Sequence, residues 1–437
     1  MLVHLFATLG LVVFYLALIG RHVGFGRPDV LFAIIHAVTA AGTIIQLDAT
    51  FASEARYSSL LLWCLVVFLV GSSVTHVLLR TRRVSTLAVD DSAQFGSLAM
   101  AFLVFGMIIV VLYFVAVGYS ALLIGFQSAL SGTNNDVATY RLESYAGSRY
   151  LFPGYVNQFK NALVPTLIAL MIINWKRSGI RGRGLVSVFL VLFAAFSLLG
   201  TAQRTAGALF ILVLLLILWQ LDRSRAGVRA VLVLIATIPL LLISTFSLGR
   251  QQGSSDNVGV WGLFLELVGR LLGGDTDVEI RGFRYIESLP VANGAEWLQS
   301  LIGLLPGRSG STLPNQIFEL SYGSSRGNAQ PSLWASAYHN FGEAGALLVA
   351  LFLGIGLASF TCFLNKTTVR NLYEIGGIAG LTVVLATWTV GSPVVPLNQG
   401  LPAYLLLLFV GYYIRRRAER SDDNSRDEAV VTEEKAS

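Results

Sequence analysis

The chain alternates long apolar segments with short polar ones. A helix that crosses a lipid bilayer needs about 17–25 mostly apolar residues, and eleven segments, a few of them short, approach that length. They are Leu2–Gly20, Val30–Leu47, Ser58–Leu79, Ser97–Ser120, Tyr155–Ile173, Leu185–Gly200, Ala206–Trp219, Ala230–Leu248, Phe341–Leu364, Tyr373–Gly391 and Leu401–Ile414. The pattern predicts an all-α fold, a polytopic transmembrane bundle of about eleven helices.

Short basic clusters lie between alternate apolar segments. Cytoplasmic loops carry an excess of Lys and Arg, so these clusters predict which ends of the helices face the cytoplasm. They are Arg21 and Arg27; Arg80, Arg82 and Arg83; Lys176, Arg177, Arg181 and Arg183; Arg223, Arg225 and Arg229; Lys366 and Arg370; and Arg415, Arg416 and Arg417. The alternation predicts a cytoplasmic C-terminus, a periplasmic N-terminus and a bacterial inner-membrane location. The first segment lacks a basic n-region and a clear cleavage site, so we expect it to be retained.

Two polar segments fall on the predicted external side. The shorter is 131–154, and the longer is 249–340, where the hydrophobic pattern lapses and aromatic residues rule out a disordered linker. Within the longer one, 258–272 has an apolar helical face and predicts a helix at the membrane surface. The predicted division is 1–248 for the first eight helices, 249–340 for a large periplasmic loop, 341–414 for three further helices and 415–437 for a disordered tail.

The composition supports a membrane protein and excludes several function classes. Hydrophobic residues make up 54% of the chain and charged residues 13%, against about a quarter charged in soluble domains. The net charge of +6 comes from basic clusters that indicate how the helices are oriented in the membrane, so no nucleic-acid partner is expected. Cys64 and Cys362 both lie in apolar segments and indicate no disulfide or zinc site. No nucleotide-binding or hydrolase motif occurs in a usable context.

Two external arginines have no acidic neighbour in sequence. Arg204 lies in a tight turn between two apolar segments, and Arg250 follows the end of another. A guanidinium at the outer rim is suited to bind a lipid-linked diphosphate through bidentate bonds. Snorkelling to lipid headgroups explains the same positions equally well. For the other external arginines, pairing with acidic residues of the loop is the simpler interpretation.

His339 is the one histidine beside the large loop and is a candidate general base, because its ordinary pKa lies near neutrality. A structural role at a helix start is the alternative. Asp275 and Asp277 have the spacing with which many glycosyltransferases hold a metal, but no further ligand cluster supports such a site. We therefore expect neither a metal nor a cofactor.

Several segments together resemble Wzy-type O-antigen polymerases, from about Arg141 to Gly356. They are Gly200-Thr201-Ala202-Gln203-Arg204 between two apolar segments; Arg284-Tyr285 before Leu289-Pro290; Leu298–Leu320 with Pro306 and Pro314; and Ala337-Tyr338-His339-Asn340-Phe341-Gly342-Glu343-Ala344-Gly345. In some members of the family an arginine is followed eleven positions later by a glycine in both external loops. No external arginine here has that spacing.

The resemblance implies a glycosyltransferase of the C class that acts on undecaprenyl-diphosphate-linked oligosaccharides at the outer face of the inner membrane. It would transfer the growing glycan to the non-reducing end of the next repeat, with a Wzz-type chain-length regulator as partner. On this hypothesis His339 is the base, with Glu319 and Asp277 as rivals. The expected diphosphate ligands are Arg204, Arg250 and Arg141, and the expected glycan contacts are Arg284, Arg281, Tyr338 and Trp334.

Two other functions remain open at this point. An O-antigen ligase has a similar architecture and the same donor but transfers to lipid A core. A glycolipid flippase or other transporter would place charged residues within helices and show an internal repeat. No repeat is found here, and the charges concentrate outside the apolar segments.

Overall fold

The computed structural model describes residues 1–24, 26–81, 88–89, 96–131, 137–146, 154–180, 182–221, 276–323, 327–367 and 369–417. Within these ranges the chain is mainly helical, as predicted. The helices are α1 Leu2–Val23, α2 Pro28–Gln46, α3 Ala52–Leu78, α4 Ser97–Val117, α5 Ala121–Ser131, α6 Val137–Ala146, α7 Tyr155–Arg177, α8 Gly184–Leu199, α9 Arg204–Leu221, α10 Thr276–Glu287, α11 Ala295–Ile302, α12 Leu313–Tyr322, α13 Leu333–Lys366, α14 Leu372–Ala386, α15 Val394–Asn398 and α16 401–417.

Six of these helices are long and apolar enough to cross a membrane, namely α1, α2, α3, α4, α7 and α13, and α8, α9 and α14 are shorter apolar helices. This is the composition of a helical membrane protein. The predicted span 230–248, the predicted surface helix 258–272 and residues 418–437 of the predicted tail lie outside the described residues. The count of eleven spans therefore stays a prediction.

Helices α3 and α13 pack so closely that their backbones touch. A Cβ atom at Gly354 would lie 2.3 Å from the carbonyl oxygen of Phe68, and one at Gly71 would lie 2.8 Å from the carbonyl oxygen of Leu351. Small residues at helix interfaces permit such an approach inside membranes. This pair forms the centre of a core cluster with α1, α2 and α10, and α4, α7, α8, α9, α14 and α16 form a second one.

Residues 276–323 and 327–331 lie over one end of the bundle, which we call the loop face. Thr43 near the end of α2 bonds to Glu279 of α10, and the N–H of Leu333 donates to the carbonyl of Thr389 after α14. At the opposite end, Arg415 forms an ion pair with Glu374 at 3.0 Å. There the strands β1 (Ala88–Val89) and β2 (Val369–Arg370) also pair in parallel. The predicted basic loops that are described belong to this second end.

Helix α13 begins at Leu333, earlier than the Phe341 at which the apolar run starts, and it breaks at Gly342 (φ 69°, ψ −172°). The predicted boundary followed mean hydropathy, which the polar residues Ser336, His339 and Asn340 lower. In the structure residues 333–337 are nevertheless buried on every side, each at most 1% exposed. Tyr338 and His339 therefore lie on a helix and not in a loop. Likewise, α5 and α6 occupy parts of 121–146, where a span ending at Ser120 and an irregular loop were expected.

Candidate functional site

Helix α10 is held on the loop face by an aromatic stack. Its apolar face carries Val278, Phe283 and Ile286, all buried, at the spacing of an amphipathic helix. The ring of Phe283 stacks on Tyr57 of α3 with centroids 4.4 Å apart and lies 5.4 Å from the ring of Tyr338 of α13. The helix from the external segment is thereby fixed to the ends of two bundle helices.

Glu279 lies on the face of α10 that packs against the bundle, and hydroxyl groups of neighbouring residues donate hydrogen bonds to its carboxylate. The hydroxyl of Tyr57 donates to Oε1, and Thr43 Oγ1 donates to Oε2 at 3.0 Å. Ser332 Oγ lies 2.7 Å from the hydroxyl oxygen of Tyr57. Burial raises the pKa of Glu279, while bonds from Tyr57, Thr43 and Ser332 oppose the rise. A carboxyl group that retains its proton more readily is suited to proton transfer.

The break at Gly342 shapes the position of His339. In an uninterrupted helix the carbonyls of residues 339 and 340 accept from residues 343 and 344. Here the carbonyl of His339 accepts from the N–H of Ala292 at 2.8 Å, and that of Asn340 accepts from Gly294 at 3.0 Å. The segment before α11 is thus bonded directly to the turn of α13 that bears the histidine.

Polar side chains from α11 and α13 surround His339. Asn340 Nδ2 donates to Glu296 Oε2 at 2.9 Å, and Trp297 Nε1 donates to Ser336 Oγ at 2.8 Å. Glu296 acts electrostatically on the His339 ring. Nδ1 of His339 is buried and has no hydrogen-bond partner in the part of the chain that the structure describes. An imidazole nitrogen in that state can take a proton.

Glu279 and His339 both lie close to the start of α13. Glu279 is linked through Tyr57 to Ser332, the N-cap of α13, and His339 follows Ser332 by seven residues. Seven residues are almost two helical turns, so Ser332 and His339 share one face of α13 about 10 Å apart along its axis. Two groups capable of proton transfer therefore lie close to the first turns of α13.

The arginines of α10 differ in their surroundings. Arg284 pairs with Glu54 at the start of α3, and its guanidinium lies 4.5 Å from the centroid of the Phe51 ring. Arg281 is exposed. Arg284 is thus paired with an acidic residue, as we expected for most of the external arginines. Its partner lies on α3, however, and not in the loop.

The two aromatic candidates on α13 are covered to different degrees. Trp334 is 1% exposed, and its Nε1 donates to Nδ1 of His36 in α2 at 3.2 Å. Tyr338 is partly exposed next to Phe283. Of the two, Tyr338 presents surface to the loop face, whereas Trp334 packs inside the bundle.

The remaining candidates are dispersed. Glu319 is exposed on α12, and Arg141 is half-buried on α6. Asp277 lies in the first turn of α10 and Arg204 is the first residue of α9, but the positions of their side chains lie outside what the structure describes. Arg250 lies outside the described residues.

Sequence reasoning missed Glu279 and Lys160 as site residues. Glu279 precedes Phe283 by four residues and Ile286 by seven, so it falls on the apolar face of an amphipathic segment. An acid at such a position is a detectable signal. Lys160 interrupts an apolar run close to the predicted external side, yet it is 1% exposed. Only the tertiary packing distinguishes it from a snorkelling lysine.

No group of three or more His, Cys, Asp or Glu side chains that could hold a metal ion is found in the described ranges. Metal independence stays a prediction. Comparisons of the chain with protein-family models, with curated proteins and with solved structures find no match. The resemblance to the O-antigen polymerases therefore rests on the sequence motifs alone.

Proposed function

We propose that the chain is a membrane glycosyltransferase that polymerises undecaprenyl-diphosphate-linked oligosaccharide repeats on the periplasmic face of the inner membrane. The observation that supports the proposal best is that Glu279 and His339 both lie close to the first turns of α13, at the loop face of an apolar bundle. Polymerisation at a membrane surface requires such groups where a lipid-anchored substrate meets a polar cleft.

In this reaction a hydroxyl of the acceptor repeat attacks the anomeric carbon of the donor glycan. The new C–O bond forms as the bond to the carrier diphosphate breaks, and the diphosphate leaves as an anion. Glu279 or His339 takes the hydroxyl proton. Glu279 is added to the sequence-based candidates His339, Glu319 and Asp277, because it combines burial with neutral hydrogen-bond donors.

Cations at the rim would stabilise the leaving diphosphate. We assign this role to Arg204, Arg250 and Arg141, since guanidinium groups bind phosphate oxygens in pairs and stay protonated. Holding both lipid-linked reactants in one cleft supplies the orientation that the reaction needs. Arg281, Arg284 and Tyr338 are the proposed glycan contacts, whereas Trp334, at 1% exposed, is covered inside the bundle and is not one of them. A Wzz-type regulator is the proposed partner.

The test is a reconstitution of purified protein with lipid-linked repeat units, with the products separated by size. The wild type should form a ladder of polymers. Whichever of His339→Ala and Glu279→Gln removes the base should reduce the rate by about 10²–10⁴-fold, the usual contribution of a general base. Glu319→Gln tests the rival base on α12, and an unchanged ladder in this variant would exclude Glu319. A wild-type protein that forms no ladder would refute the proposal.

The same assay distinguishes the alternatives. Addition of lipid A core should not be needed for product formation; product that appears only with it would identify a ligase. Movement of the intact lipid-linked repeat across the membrane without any new glycosidic bond would identify a flippase. Unchanged ladders in both base variants would leave the polymerase in place but refute the assignment of its base.

A further inference from the structure

Lys160 is a cationic side chain sealed inside the helical bundle at its loop-face end. It lies in the π-helical segment Gln158–Leu163 near the start of α7 and is 1% exposed. Its Nζ donates to Asn161 Oδ1 at 2.8 Å and to Thr201 Oγ1 at 3.1 Å. π-Helical turns within α-helices occur often at functional sites.

Both partners of this ammonium group are neutral. An ammonium group can donate three hydrogen bonds, and two of them are used here. A buried charge is costly unless an opposite charge compensates it. Snorkelling does not explain the position, because a snorkelling lysine carries its charge to water. Among the described residues no acidic side chain pairs with Lys160, and an anion is the kind of ligand that would compensate its charge.

The turn that contains Thr201 is a second feature that favours the binding of an anion next to Lys160. Thr201 precedes Arg204, the first residue of α9, a helix that continues to Leu221. The N-terminus of such a helix carries partial positive charge and free N–H groups. Two contacts hold the turn in place: the hydroxyl of Ser120 and the N–H of Leu122 both donate to the carbonyl of Gly200.

The α7 side of the site is equally well held. The hydroxyl of Ser197 donates to the carbonyl of Lys160 at 2.7 Å, and Gln158 Nε2 donates to the carbonyl of Leu397 at 2.6 Å. Asn161 is partly exposed. A ligand oxygen that arrives on that side can replace Asn161 Oδ1 on the lysine without moving Thr201.

We propose that Lys160, the hydroxyl of Thr201 and the N-terminus of α9 form a binding site for a phosphate group. The shared ligand chemistry is a phosphate or diphosphate oxygen. A lipid-linked diphosphate fits best, because the site lies within the bundle at the end of a membrane-spanning helix. Its identification with the donor carrier rests on the proposed function, whereas phosphate binding itself does not.

The experiment measures binding to the full-length protein in phosphatidylcholine nanodiscs without any glycan substrate. The probes are a polyprenyl diphosphate, inorganic pyrophosphate and phosphatidylglycerol. Lys160→Met should weaken binding of the preferred probe by about ten-fold or more, as expected for loss of a charged hydrogen bond. The matched control is Lys176→Met, since Lys176 is an exposed lysine at the other end of α7. It should bind as the wild type does.

Folding is measured alongside this test. Lys160→Met removes a buried charge but leaves the buried Thr201 Oγ1 without its donor, so the thermal unfolding of the unliganded variant is recorded and binding is compared at a temperature at which both proteins are folded. Preference for the polyprenyl diphosphate assigns a lipid-linked diphosphate, equal binding of pyrophosphate assigns a free anion, and preference for phosphatidylglycerol assigns a headgroup.

Equal affinities of the wild type and Lys160→Met for every probe, or no binding of any probe by the wild type, would overturn the site. Binding that depends on Lys160 in a protein that forms no polymer would retain the site and refute only the proposed function.

Discussion

The helix break at Gly342 gives the most direct test of how the fold positions His339. The residue has φ 69° and ψ −172°, a conformation that is essentially restricted to glycine. A Cβ atom at this position meets nothing within 4 Å. Gly342→Ala therefore changes the backbone preference and introduces no clash.

Gly356 of the same helix is the matched control. A Cβ atom there also meets nothing within 4 Å, and its φ is not positive. In regular helix Ala is favoured over Gly by about 0.5–1 kcal/mol. A residue forced into a disfavoured region costs about 1–3 kcal/mol. The two alanine variants should thus differ in free energy of unfolding by about 1.5–4 kcal/mol, with Gly342→Ala the less stable.

The functional consequence follows from the bonds to Ala292 and Gly294. If Gly342→Ala restores a regular helix, the carbonyls of His339 and Asn340 return to intrahelical bonds and the segment before α11 is released. We expect slower polymerisation in Gly342→Ala and a normal rate in Gly356→Ala, with unfolding measured by denaturant titration in mixed micelles. Equal stabilities and equal rates in the two variants would refute the reasoning.

Two further predictions concern Glu279 and the contact between α3 and α13. Because burial raises the pKa of Glu279 above its ordinary 4.5, its contribution to stability is complete below pH 4.5 and is lost as the pH rises through the raised value. Unfolding titrations at several pH values should show this fall in the wild type and not in Glu279→Gln; a fall of the same size in both would contradict it. Gly354→Ala places Cβ 2.3 Å from the carbonyl oxygen of Phe68 and should destabilise by about 1–3 kcal/mol, whereas Gly356→Ala should not. Similar unfolding midpoints for these two variants would show that the helices can separate without cost.

Local sequence patterns were sufficient for the helices whose apolar runs are long. The apolar segments that form α2, α3 and α7 can be recognised from composition alone, because a helix that crosses the bilayer requires about 20 consecutive apolar residues. The same rule misplaced the start of α13. Its first turns are buried among other helices, α2 and α10 included, although they carry polar residues such as Ser336 and Asn340, and averages of hydropathy cannot detect burial of that kind.

The candidate site likewise has features that the sequence predicts and features that only the folded structure reveals. The sequence by itself determined that the molecule is a helical membrane protein, and it directed attention to His339, because residue type and periodicity are local properties. Only the tertiary structure decided that Glu279 faces hydroxyl groups, that Arg284 is paired with Glu54, that Trp334 is covered, and that Lys160 is buried between Asn161 and Thr201. Each of these depends on contacts between residues far apart in the chain, and burial or charge compensation is a property of the assembled bundle.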